Sequence, residues 1–219
     1  MGASCSPSQT EVFLPVKRNF AALLIGASIL TAGPFAKADL SVAAIVEKHS
    51  LSVTEAAAAL LIADALDLDV TAVIRTGAQA GQSLVTLGPA FVIARDTKMG
   101  VLDVWRKGKG RGWGVIAQEL GWHPGTFNKM RVQGDLDRVI WVNLATSRFK
   151  HPPSVWEKLE KDGFKRPDII TAFVLSGGDK KKLDTIVGEF KKSKKWKIDA
   201  PKGKGSGKPG KGGGPGKGG

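Results

Sequence analysis

The sequence predicts an all-α protein: short helix-pair repeats with local helix-turn-helix-like packing, an N-terminal signal helix and a disordered C-terminal tail. Three observations predict it. No stretch of four to eight residues shows strand-like alternation, whereas apolar residues recur at helical spacing. Helix-starting Ser, Thr and Pro and helix-ending Gly punctuate the chain. Finally, the chain matches itself at an offset of 31 residues. The boundaries read as a signal peptide over 1–38, tandem helical repeats over 39–131, a C-terminal helical region with a weaker third repeat over 132–198, and a tail over 199–219.

The first element is an apolar helix with the layout of an export signal. Lys17 and Arg18 precede the apolar run Phe20 to Leu30, eleven residues long. Gly33-Pro34 breaks the helix, and Ala36-Lys37-Ala38 supplies small residues for cleavage. A membrane span needs about 20 apolar residues, and this run of eleven favours a cleaved signal over the alternative of a retained anchor. The cut is expected after Ala38, with Ala36 and Ala38 read by the peptidase. The lone cysteine, Cys5, lies in the removed part. The mature chain then has no thiol, which excludes disulfides, thiol catalysis and cysteine-ligated metal.

The next helices fall in Ser41–Leu68, rich in Ala and Leu. Val42, Ile45 and Val46 keep helical spacing, and Ser52 or Thr54 caps the run "TEAAAALLIADAL". From Leu61 onward the 31-residue repeat begins. Ala63, Val70, Val73, Arg75, Gly77 and Gly81 recur as Ala94, Val101, Val104, Arg106, Gly108 and Gly112. A weaker third copy follows the second by 82 residues and keeps Ala172, Phe173, Val174 and Lys180, with apolar Leu183 and Ile186. The unit reads as two short helices that bury a core only by stacking on neighbouring copies. Further on, Pro152-Pro153 opens a helix with Gly163 past its end, Pro167 opens another, and Leu183 to Lys195 forms a last one.

One stretch, "VLDVWRKGKGRGWGVIAQELGWHPGTFNKMR", resembles a helix-turn-helix. Ala117 sits where two helices cross, and Gly121 sits in the turn, where positive φ is cheap. Ile116, Leu120, Trp122, Phe127 and Met130 take the apolar positions, and Pro124 begins the second helix. Thr126, Asn128, Lys129 and Arg131 then project outward as an alternative nucleic-acid face. Such geometry is also a generic way to pack short helices, and an export signal would carry it away from the chromosome. The string Gly112-Trp113-Gly114 through Pro124-Gly125, "GWG-x-IA-x-x-LG-x-x-PG", resembles a motif of small exported bacterial proteins of unknown function. The resemblance covers Leu60 to Arg131. It implies export and a helical repeat fold, and no activity or site.

The last element is the tail, "PKGKGSGKPGKGGGPGKGG", with no apolar side chain to offset the entropy of ordering it. Its "GKGSGKP" is not a phosphate loop, since Pro209 follows Lys208 where Ser or Thr is needed. Charge is concentrated here. The whole chain carries +13, and the chain after Ala38 carries +11. Residues 39–179 hold only +1 of that, and residues 180–219 hold +10. The binding candidates are therefore Lys194, Lys195, Trp196, Lys202, Lys204, Lys208, Lys211 and Lys217, facing an anionic envelope polymer or a lipid surface.

Catalytic patterns are absent. His49, His123 and His151 are unpaired at metal spacing and read as surface or capping residues. Asp64, Asp67 and Asp69 form a solvated turn rather than a calcium loop, because Val70 and Ala72 stand where ligands would be. "GKGRGWG" follows a helix, not a strand, which removes the nucleotide-loop geometry. The six tryptophans are expected mostly in the core. No cofactor, metal or small-molecule substrate is implied. The expectation is an exported, periplasmic or extracellular, non-enzymatic binding or structural protein, with a protein partner through a helix face and DNA only in the alternative reading.

Overall fold

The computed structural model describes residues 41–123, 125 and 132–198. These all lie in the compact unit Asp39–Gly219; the unit Met1–Ala38 is wholly outside the described residues, as are the expected signal and tail. Ten helices and no strand occur among the described residues. In order they are α1 Val42–His49, α2 Val53–Leu66, α3 Val70–Ala80, α4 Leu84–Thr97, α5 Val101–Gly108, α6 Trp113–Glu119, α7 Leu136–Phe149, α8 Pro153–Lys161, α9 Arg166–Ser176 and α10 Lys180–Ser193.

One connection is used over and over. A residue in the left-handed region ends the helix, one residue follows, and the next is the N-cap of the following helix. Ser50, Asp67, Gly81, Lys98, Lys150 and Gly177 are the left-handed residues, and Ser52, Asp69, Ser83, Gly100, Pro152 and Asp179 are the caps. The reversal satisfies the end carbonyls, as when the N–H of Asp67 and of Leu68 both reach the Ala63 carbonyl. The cap then satisfies the next helix's first amides: Ser52 Oγ accepts from Glu55 N at 3.1 Å and Ser83 Oγ from Thr86 N at 3.1 Å. Ser52, not Thr54, is the cap of α2.

The offset of 31 relates elements as well as letters. It carries cap Ser52 onto cap Ser83, α2 onto α4, and left-handed Asp67 onto left-handed Lys98. Val73 and Val104 are both buried, and Gly77 and Gly108 both lie near the end of a short helix. The copies diverge after that. α3 runs to Ala80, whereas α5 stops at Gly108 because "KGKGRG" is too glycine-rich to continue it.

The expected third copy keeps its offset of 82 at the start, where N-cap Ser83 falls on N-cap Lys165, and loses it at the end, because α9 is three residues shorter than α4. An offset of 82 places Lys98 on Lys180, but Lys180 is the first residue of α10. The left-handed residue equivalent to Lys98 is Gly177, 79 residues on, about one helical turn earlier. α10 likewise starts at Lys180 rather than Leu183, because Asp179 caps it by accepting from Lys182 N at 2.9 Å. A further pair, α7–α8, has the same connection and a first helix as long as α4, with almost no sequence identity to it.

The long first helices of the pairs form the centre. α2 packs on α4, α7 and α9, α4 packs on α7, and α7 packs on α9. Their partners α3, α5, α8 and α10, the last as long as α2, α4 and α7, lie outside them, and α6 packs on α5 and α7. α2 can be central because Ala56, Ala57, Ala58 and Ala59, all fully buried, let neighbours approach on every side. Large side chains fill the spaces between. Trp141, Trp156 and Phe173 are fully buried, with Phe173 5.8 Å from Trp156 and 6.2 Å from Phe149.

The tryptophans divide evenly. Trp122, Trp141 and Trp156 are core; Trp105, Trp113 and Trp196 are half-buried. His151, expected on the surface, is buried with its ring edge-on to Phe173 at 5.4 Å. It occupies the middle position of its connection, where Leu51, Leu68 and Met99 stand in others, and the imidazole is used there as a flat packing group. Among the described residues no single helix is long and apolar enough to cross a membrane; α1 and α2 pass by composition together but bend by 115°.

Candidate functional site

Four places gather polar or charged side chains: the C-terminal end of α10, the corner between α5 and α6, a groove where α2, α4 and α7 end, and a cluster joining α7, α8 and α9.

At the end of α10, Lys194 adopts φ 55° and turns the chain back. Ser193 Oγ accepts from Lys195 N at 3.2 Å and holds the reversal. Trp196 consequently stacks on Phe190, with ring centroids 3.9 Å apart and planes 13° apart. Phe190 in turn sits 5.9 Å from Phe164, and Lys191 Nζ lies 5.5 Å over the Phe164 ring while pairing with Asp162 at 3.0 Å. The stack secures the chain leading toward the tail against α10 and the loop before α9. Lys194 and Lys195, two sequence candidates, are exposed beside it, and so are Lys180, Lys181, Lys182 and Lys192. Trp196, the third candidate, is half-buried and offers one face of its ring rather than the whole. Lys202, Lys204, Lys208, Lys211 and Lys217 lie outside the described residues.

The α5–α6 corner carries Arg106, Lys107, Lys109 and Arg111 within six residues, bracketed by Trp105 and Trp113. The two indoles meet at 6.1 Å and 40°. Gly108 makes this possible: a Cβ there would come 3.1 Å from Trp113 Cζ3. Arg106 is taken up by Asp103 at 3.0 Å. Arg111 grips Glu119 with both terminal nitrogens, and that hydrogen bonding holds the Glu119 carboxyl below the ordinary range. Lys107 and Lys109 are exposed, and Val115 beside them is 46% exposed. The first half of the expected helix-turn-helix follows. α6 buries Ile116 and Ala117, Gly121 turns with φ 63°, and Trp122 N donates to the Ala117 carbonyl at 2.7 Å. Thr126, Asn128, Lys129 and Arg131 lie outside the described residues.

The groove, about 1220 Å³, was not expected from the sequence. Asp64 of α2, Arg95 and Asp96 of α4 and Arg148 of α7 line it. Its charges are internally matched. Arg148 pairs with Asp64, Arg95 pairs with Asp96 at 2.7 Å, and the buried Trp122 indole donates to Asp96 at 2.9 Å. The one sequence signal for it was positional: Asp64 and Arg95 are related by the 31-residue offset.

A further cluster ties the bases of α7, α8 and α9 together. Arg138 donates to both oxygens of Glu160 at 2.8 to 3.0 Å, and the Trp156 indole donates to Glu160 at 2.8 Å. Burial works against the Glu160 charge, but these hydrogen bonds and the nearby guanidinium groups outweigh it, so its carboxyl sits below the ordinary range. Asp137 pairs with Arg166 but is buried enough that its carboxyl is pushed up. Among the described residues no group of three His, Cys, Asp or Glu is arranged to hold a metal. The cleavage residues Ala36 and Ala38 lie outside the described residues.

No protein-family model, curated protein or solved structure matches this chain.

Proposed function

We propose that this chain is an exported, non-enzymatic binding or structural protein of the bacterial cell envelope. It acts in the periplasm or outside the cell, and its cationic C-terminal end contacts anionic envelope components. The observation that carries this reading is the end of α10. There the Trp196–Phe190 stack fixes the chain beside exposed Lys194 and Lys195. In the sequence the lysines of the tail follow this point, and the body before it is nearly neutral. The layout of residues 1–38 supports export, and the resemblance of the Gly112–Gly125 string to exported proteins supports it independently. Duplication of a helix pair accounts for the helical scaffold, and its outer helix faces suit a protein partner.

Two measurements test the reading. Intact mass from cell fractions is expected to show a chain beginning at Asp39. Binding to anionic vesicles, to peptidoglycan and to duplex DNA is then compared for the wild type, for Lys194→Ala with Lys195→Ala, and for a chain lacking 201–219. Each loss should weaken binding to the anionic envelope component, and more so at low salt. Unchanged binding in both variants would refute the electrostatic reading.

The second reading is helix-turn-helix DNA binding. It is supported by buried Ala117 and the left-handed Gly121 at the expected turn positions. It requires a cytoplasmic chain that keeps residues 1–38. Lys129→Ala with Arg131→Ala would then weaken DNA binding and reduce its salt slope.

A further inference from the structure

The groove where α2, α4 and α7 end is matched in charge but not in hydrogen bonding. Arg95 meets Asp96 through Nε at 2.7 Å, and Arg148 meets Asp64 through Nε as well. Neither uses its terminal nitrogens in a hydrogen bond among the described residues, whereas Arg111 and Arg138 use theirs on carboxylates. Asp96, by contrast, is occupied at both oxygens: Oδ1 accepts from Arg95 and Oδ2 from the Trp122 indole at 2.9 Å. The arginines are also the outer members of their pairs, with side chains 43% and 47% exposed against 27% for each aspartate. All four charged side chains line the same groove, together with apolar Ala65, Leu120 and Leu144 and the buried Trp122. The groove therefore presents two guanidinium ends that still have N–H groups to donate, beside an apolar wall.

We propose that this groove is a binding site for a small organic monocarboxylate, one carboxylate on an apolar body. The inference is independent of the C-terminal docking reading. The terminal edge of a guanidinium donates two parallel N–H bonds, and a planar carboxylate accepts them both. Binding leaves the existing pairs intact, because Nε and the terminal edge point in different directions. Charge sets the limit on the ligand. The groove's two arginines and two aspartates cancel, and the C-terminal ends of three helices bring partial negative charge to it. A single negative charge is met by the free guanidinium ends; a second is opposed by Asp64 and Asp96. The groove thus suits a monoanion, where the unpaired lysines at the end of α10 suit a polyanion. Size and lining describe the rest of the ligand. About 1220 Å³ exceeds what a bare carboxylate fills and lies just above the range of about 300–1,000 Å³ usual for small-molecule sites. Ala65, Leu120, Leu144 and Trp122 give an apolar body something to cover.

The test uses the full chain and naphthylacetate, with its neutral amide naphthylacetamide, acetate and inorganic phosphate as comparisons. Calorimetry reads affinity, and the NMR signal of the Trp122 indole N–H reads where the ligand sits. Naphthylacetate should bind saturably and shift the Trp122 signal. Naphthylacetamide, which keeps the body and loses the charge, should bind about tenfold more weakly or worse, and acetate, which lacks the body, likewise. Arg95→Lys and Arg148→Lys keep each charge opposite its aspartate and remove the fork. Each should weaken naphthylacetate binding about tenfold and leave the amide unchanged. Circular dichroism and an unshifted Trp122 signal in the free variants show that the fold is kept. Equal binding of acid and amide, or wild-type affinity in both lysine variants, overturns the proposal. So does saturable binding that leaves the Trp122 signal unmoved, or no binding at all. If inorganic phosphate binds more tightly than naphthylacetate, the groove is a phosphate site and the carboxylate reading is wrong.

Discussion

The packing of α4 against α7 turns on three residues that compensate one another. Pro89 lies inside α4 and has no N–H, so it cannot make the helical bond to the Val85 carbonyl. The indole of Trp141, on α7, donates to that carbonyl at 3.1 Å. The indole reaches it because residue 88 is glycine: a Cβ there would lie 2.6 Å from Trp141 Cε2 and 3.0 Å from Cη2. Trp141→Phe removes the donor and leaves the carbonyl without a partner, a loss of about 1–3 kcal/mol. Gly88→Ala drives a methyl into a fully buried ring, at about 1–3 kcal/mol for overpacking. It also displaces the donor, so its total should reach about 2–4 kcal/mol. The two effects share atoms and should not add. Phe lacks the far ring of the indole, so Gly88→Ala should cost about 1 kcal/mol or less in the Trp141→Phe background. Pro89→Ala should partly rescue Trp141→Phe by restoring the helical N–H. The assay is urea unfolding followed by circular dichroism. Additive costs for Gly88→Ala and Trp141→Phe, within about 0.5 kcal/mol, would refute the account.

Other expectations follow from single contacts. Lys150 holds φ 58° at the end of α7, so Lys150→Gly should stabilise the chain by about 0.5–1 kcal/mol, read as a higher melting temperature. Glu55 of α2 accepts the Leu84 amide of α4 at 2.8 Å; Glu55→Ala should cost about 1–2 kcal/mol in urea unfolding. The lowered Glu160 carboxyl contributes stability that is full above the ordinary glutamate range, about 4.3, and is lost as pH falls through its folded value. The raised Asp137 carboxyl acts oppositely, since its protonation favours the folded chain. Unfolding from pH 6 down to pH 3, both approximate bounds on this window, should therefore show a flatter loss of stability for Glu160→Gln and a steeper one for Asp137→Asn.

What the sequence disclosed followed from local rules, and what it hid came from distant contacts. The first repeat was legible because Val73/Val104 and Gly77/Gly108 fill matching places, a buried position and a close approach to the following helix, so duplication preserves them as letters. The α7–α8 pair was not legible. Its connection uses left-handed Lys150 and N-cap Pro152, and Pro152 makes no side-chain capping bond of the kind Asp69 makes, so no capping letter marks it. The third copy matches the start of α9 but not its end, where the shorter helix brings the connection one turn earlier. Helical periodicity lets an apolar match survive a shift of about one turn, and only the connection fixes the phase. His151 was misread because its neighbours Lys150 and Pro152 look like a surface turn, while the residue between them points at Phe173 from the next pair. At the candidate sites, Lys194 and Lys195 were visible as charge. The Phe190 platform under Trp196 was not, since nothing in the sequence says that Lys194 reverses the chain.

The difference between paired and unpaired charge also explains why net charge alone misdescribes this protein. Within the body, acids and bases nearly cancel, and the ion pairs show how the cancelling is arranged. Arg148 meets Asp64 across α7 and α2, Arg138 meets Glu160 across α7 and α8, and Arg166 meets Asp137 across α9 and α7. These pairs join one long helix to another or to its short partner, so their charges are committed to holding the helices together. A long-range field must then come from lysines left out of such pairs. Among the described residues those include Lys180, Lys181, Lys182, Lys192, Lys194 and Lys195 on α10 and at its end, Lys158, Lys161 and Lys165 on α8 and at the start of α9, Lys107 and Lys109 at the α5–α6 corner, and Lys48, Lys98 and Lys150 at other helix ends. Two of these groups adjoin half-buried tryptophan in the sequence: Trp196 follows Lys195, and Trp105 and Trp113 flank Lys107 and Lys109. An ammonium group beside an indole edge is poorly suited to the interior and well suited to an anionic interface, where each finds its own partner. The fold thus uses its matched charges to assemble and leaves unmatched lysines over several parts of its surface, most densely on α10 and at its end.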